Sequence, residues 1–139
     1  MSRATQATRD LAERLIAHED KANKIAGTAA PKSLIVLDQL RPHLANLMGS
    51  AGFNALLSRS LALANAEVEW LQQVQVASDG KLAGLDALEA KGDAHDFLEG
   101  RVVLLAQLFG LLIAFIGEKL TMQLVAEVWP NVPLNELIS

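Results

Sequence analysis

The chain has 139 residues, 51% of them hydrophobic, and a formal net charge of −4, enough for one domain whose core needs no staples. It has no cysteine, which excludes disulfides, thiolate metal centres, iron–sulfur clusters and thiol nucleophiles. Residues 1–41 carry seven Lys/Arg against five Asp/Glu, and residues 42–139 carry five against eleven, so no basic stripe offers the phosphate contacts on which nucleic-acid affinity depends.

Leu and Ala dominate, while Tyr is absent and Phe and Trp are few. Such a composition favours helix over strand, and the expected fold is all-α: a compact bundle of about five helices forming a single domain over 1–139. Residues 1–10 hold no apolar stretch suited to a secretion signal, so the expected compartment is the cytoplasm.

Leu11, Leu15, His18, Ala22 and Ile25, with Ile16 beside them, form one helical face in the first element. Asp10–Arg14 and Asp20–Lys24 stand at i,i+4 on its charged side, and Gly27 stops it. Pro31 opens a second helix whose seam is Leu34, Leu37, Leu40, Leu44 and Leu47. Pro42 cannot donate to the Asp38 carbonyl, which predicts a kink or break there, followed by a turn at Gly49–Gly52. The third helix, from about Ala51 to Gln73, has two apolar rows. One is Phe53, Leu57, Leu61, Ala64, Val68 and Leu71; the other is Leu56, Leu63 and Trp70. Two rows suit a central helix or one shared with a partner subunit.

Residues 74–84 carry a weak signal for a small β-hairpin around Asp79-Gly80, with a frayed helix end and loop as the alternative. Leu85–Lys91 could add a turn or two of helix. Asp93 is a suitable N-cap for the longest run, which extends to Trp129 and ends at Pro130 and Pro133. Its length predicts a bend at Gly110 or Gly117. The tail carries Leu134, Leu137 and Ile138. No internal repeat is evident.

Within the long run, Val102 to Gly117 has no charge. As a helix it spans about 24 Å, short of the roughly 30 Å hydrocarbon core of a bilayer. A very hydrophobic central bundle helix is the preferred reading over membrane insertion. Ala106, Gly110, Ala114 and Gly117 form a ridge with almost no side chains, suited to a close helix crossing inside the monomer or to a homodimer seam. With Leu56, Leu63 and Trp70 they are the candidate interface residues.

No catalytic, cofactor or metal motif stands out. His18 lies on an apolar stripe and His43 follows Pro42. His95 and Glu99 share a helix face near Asp96, but a metal site needs further ligands, and first-turn acids complement the helix dipole. The absence of any Glu-x-x-His pair argues against a carboxylate-bridged metal bundle. Gly80-Lys81 lacks the remainder of a phosphate loop, and Ser50, Ser58 and Ser60 lack a nucleophile signature. The helical pair around Gly49 superficially suggests helix-turn-helix, yet Asn54, Ser58 and Arg59 give it little to read bases with. The expected function is a non-catalytic, self-associating protein-interaction module without a cofactor. A membrane-docking protein using 102–117 is the alternative. A small DNA-binding regulator or an enzyme with an unrecognised site stands behind both.

Overall fold

The computed structural model describes residues 6–25, 35–76, 82–83 and 94–130; for Trp70, Gln73 and residues 20–25, 35, 82–83 and 94–98 the backbone alone is described. The chain is all-α in character. Its elements are α1 (Gln6–Ile25), α2 (Ile35–Glu67), a short 3-10 helix (Glu69–Gln73), strands β1 (Gln75–Val76) and β2 (Leu82–Ala83), α3 (Ala94–Ile116) and α4 (Glu118–Val128). Leu11, Leu15 and Ile16 bury the apolar stripe of α1, while His18 is only half-buried. α3 packs against both α1 and α2, which touch each other far less. A very apolar helix belongs in that central position.

α2 comprises two helical segments that meet at Gly49, where the expected turn between the second and third helices falls. α2 keeps helical dihedrals through Pro42 and leaves them only at Gly49, with φ 81° and ψ 159°. Pro42 and Asp38 are both exposed, so water can serve the carbonyl that the proline leaves without a donor. Arg41 reinforces the same turn by donating to Asp38 Oδ1 at 2.8 Å. The α-helix also ends at Glu67, short of the expected Gln73, and Val68 is extended before the 3-10 turn.

β1 and β2 pair antiparallel, Gln75 with Ala83 and Val76 with Leu82. The Asp79-Gly80 turn, the Gly27 stop, Pro31, residues 85–91, the Asp93 cap and the tail after Pro130 lie outside the described residues. The expected bend in the long C-terminal run falls at Gly117, with φ 92° and ψ 156°. Gly117 N–H donates to the Ile113 carbonyl at 2.9 Å. The Gly117 carbonyl in turn accepts from the Thr121 hydroxyl at 2.8 Å. The N–H and carbonyl of Gly117 are therefore both paired where the chain turns.

Gly49 and Gly117 share one backbone conformation, and the chain around them is built alike. Aligned on these glycines, Leu40 and Leu44 match Leu108 and Leu112, all fully buried, and Leu57 matches the buried Val125. Phe53 and Leu61 match Thr121 and Trp129, again all buried. Exposed positions match as well: Pro42 with Gly110, Asn46 with Ala114, Leu47 with Phe115. Gln39 and Leu56 recur as Gln107 and Leu124. The bundle thus holds two helix–glycine–helix units, an internal repeat of structure that the sequence pattern did not reveal.

Candidate functional site

The uncharged run of α3 divides into two unequal halves. Every residue from Val102 to Phe109 is buried, so this half is bundle core, as expected. Beyond it Gly110, Ala114 and Phe115 are exposed and Leu111 is half-buried, while Leu112 stays inside. At 3.6 residues per turn, Gly110, Leu111, Ala114 and Phe115 fall within one arc of about 140° that leaves out Leu112, Ile113 and Ile116. Phe115 is 69% exposed, and Leu120, beyond the corner, is 54% exposed. The expectation of a wholly buried central helix therefore holds for the first half only.

The candidate interface residues separate accordingly. Ala106 is fully buried in the core, whereas Gly110, Ala114 and Gly117 are exposed. A Cβ built on Gly110 would meet nothing within 4 Å, so this part of the ridge makes no close crossing inside the monomer. Leu56 and Leu63 are half-buried on α2, with Leu56 packed against the core. The side chain of Trp70 lies outside the described residues.

Polar contacts tie the core half of α3 to its neighbours. Arg9 of α1 donates to both carboxylate oxygens of Glu99, at 2.9 and 3.0 Å. The hydrogen bond to Glu99 holds the Arg9 guanidinium above its already high ordinary pKa; the charges of Glu99, Glu13 and Glu67 add to this, and partial burial works against it. Gln107, buried in α3, donates to Glu67 Oε2 at the end of α2, at 2.6 Å. Trp129 Nε1 donates to Glu19 Oε2 of α1 at 2.7 Å. These pairs span different helices and fix how they pack. Of the noted His95/Glu99 constellation, Glu99 is engaged by Arg9, and the side chains of His95 and Asp96 lie outside the described residues. His43 is exposed.

Among the described residues no three His, Asp or Glu side chains come together as metal ligands. A shallow groove on α4 is lined by Glu118, Lys119, Met122, Gln123 and Ala126. Its polar groups lie beside apolar ones, and no serine, threonine or histidine is among that lining. Ser60, one of the three serines considered, is buried and donates to the Leu56 carbonyl at 2.9 Å. That bond satisfies the hydroxyl within its own helix.

The two units supply a comparison inside one molecule. The exposed face before Gly49 is Pro42, His43, Asn46 and Leu47, a mixture that water can solvate. The equivalent face before Gly117 is Gly110, Leu111, Ala114 and Phe115, with no polar side chain. The two faces differ in polarity at His43/Leu111 and Asn46/Ala114, and only Ala114 is as exposed as its counterpart. Comparison of the chain with protein-family profiles, with curated proteins and with solved structures finds no match.

Proposed function

We propose that this protein is a non-catalytic assembly module that self-associates through the uncovered half of α3. The observation that carries this reading is the stripe of exposed Gly110, Ala114 and Phe115 with the half-buried Leu111 beside them. It stands at positions where the first unit carries Pro42, His43, Asn46 and the likewise exposed Leu47. Covering a side chain like Phe115 contributes about 1.5–3 kcal/mol when burial is complete, which is lost while it remains in water. A contiguous apolar patch of this sort marks an interaction site more often than a lone exposed leucine does. The absence of cysteine suits a reducing cytoplasmic setting for such a module.

Sedimentation velocity on the wild type, from about 10 µM to about 1 mM, tests the reading: self-association that grows with concentration is the expected result for a small interface. A clean monomer throughout would remove it.

Membrane docking is the second reading. It draws on the window Glu99–Ile116, long and apolar enough to cross a bilayer by length and composition, of which 56% is buried in the bundle. Gln107 and Glu99 are engaged within the protein, and releasing the window would break those contacts. Vesicle flotation separates the readings. Binding to neutral and anionic vesicles without self-association would favour the membrane.

A further inference from the structure

We propose that α4 is a latched strap: it hinges at Gly117, is held shut at its far end by the Trp129–Glu19 hydrogen bond, and opens as one piece while the rest of the bundle stays folded. Opening needs no second copy and so stands apart from the assembly reading.

The hinge is a property of the Gly117 backbone. Its φ of 92° and ψ of 156° lie where glycine alone moves freely. The Gly117 N–H donates back to the Ile113 carbonyl of α3, and the Gly117 carbonyl accepts from the Thr121 N–H of α4 at 3.1 Å. Each bond lies on its own side of the Gly117 Cα, so rotation about the glycine's φ and ψ swings α4 and breaks neither. A Cβ built there would meet nothing within 4 Å, so nothing packed against that side of the corner resists the turn.

Away from the corner α4 is lightly held. It buries Thr121, Met122 and Val125 and, among the described residues, packs mainly on α3, with few contacts to α2 and fewer to α1. The matching helix after Gly49 is held along its length. It buries Phe53, Leu57, Ser60, Leu61 and Ala64, runs on past Leu61 to Glu67, and there accepts the Gln107 hydrogen bond. α4 stops at Val128, and its far end is fastened by Trp129, the counterpart of Leu61. The Trp129 side chain joins the core cluster, and its indole N–H donates to Glu19 Oε2 of α1 at 2.7 Å. An indole donates one hydrogen bond and accepts none, and Glu19 is half-buried, so water can serve both groups once the strap lifts. Opening carries Met122, Val125 and Trp129 off the core together, as one unit and at a lower free energy than complete unfolding.

Native-state hydrogen exchange on the full chain, followed by mass spectrometry at low denaturant, tests the strap. Amides of 122–129 should exchange as one group, at least about tenfold faster than those of 102–109 and with little dependence on denaturant, because a local opening exposes little surface. Glu19→Ala removes the acceptor from α1 without altering α4, and should speed that group roughly fivefold, as expected from the loss of one hydrogen bond. Trp129→Phe, which keeps an aromatic ring in the core, should do the same from the other side. Exchange of 122–129 only at the rate of 102–109, with the same denaturant dependence, overturns the strap. Early exchange of 122–129 that neither variant accelerates overturns the latch.

Discussion

The two helix–glycine–helix units, 35–61 and 103–129, use the same inward positions and differ outside. In the first, Asp38, Gln39, Pro42, His43 and Asn46 face water, and the unit is an ordinary amphipathic pair. In the second, the equivalents of Asp38 and Gln39 are the buried Ala106 and Gln107, because α3 is packed by α1 as well as α2. Further along, the equivalents of Pro42, His43 and Asn46 are Gly110, Leu111 and Ala114. Apolar character at 106 is thus accounted for by the bundle and at the half-buried Leu111 in part, whereas Phe115 is exposed, like its counterpart Leu47. One helix carries both kinds of hydrophobicity, and burial tells them apart.

The equivalence can be broken at its buried positions first. Leu44→Ala and Leu112→Ala each remove a fully buried side chain and should each cost about 2–5 kcal/mol of unfolding free energy, measured by chemical denaturation. A large loss at one and a negligible loss at the other would end the claim that the units are built alike. The corners come next. Gly49→Ala and Gly117→Ala should each cost about 1–3 kcal/mol, because φ near +80° to +90° with extended ψ is a conformation only glycine adopts readily. Crowding is not the cause, since a Cβ at either position meets nothing within 4 Å. Near-neutral results would mean that the corners relax freely.

How far these features could be read from residue order depends on the physics behind each. Of the expected row, Phe53, Leu57, Leu61 and Ala64 are buried as helical period implies, Val68 is half-buried and Leu71 is buried in the 3-10 turn; the bend, allowed by length at Gly110 or Gly117, falls at Gly117. Pro42 misled because a proline on an exposed turn gives up a hydrogen bond that water can replace, while the positive φ falls at Gly49. The repeat was missed because what recurs is a burial pattern around a glycine, with Phe53 answered by Thr121 and Leu61 by Trp129. The spacing of Gln39, Leu40, Leu44, Gly49 and Leu56, repeated at Gln107, Leu108, Leu112, Gly117 and Leu124, was the available signal. The small-residue ridge was legible as a pattern. Where it passes from core to surface was not, since Ala106 and Gly110 are equally compatible with either.

Smaller effects sharpen the contrast. Trp129→Phe removes the hydrogen bond to Glu19 that has no counterpart at Leu61, and should cost about 1 kcal/mol, seen as a lowered melting temperature. Gly110→Ala should stabilise the monomer by up to about 1 kcal/mol, since Gly110 is an exposed helical glycine with room for a methyl group. That sign is opposite to the one expected at the two corners, and a clear destabilisation would point to a close crossing after all.

A matched pair of substitutions tests whether the second unit's exposed face is the proposed interface and the first unit's is not. Leu47 and Phe115 occupy equivalent positions and are 57% and 69% exposed, so Leu47→Ser and Phe115→Ser make a matched pair. Sedimentation equilibrium of both variants and the wild type, up to about 1 mM, decides the matter, because removing a central apolar anchor weakens association while removing a solvated leucine does not. Phe115→Ser is expected to remain monomeric while Leu47→Ser associates like the wild type. Equal behaviour of the two variants, or a wild type that never associates, would contradict the account.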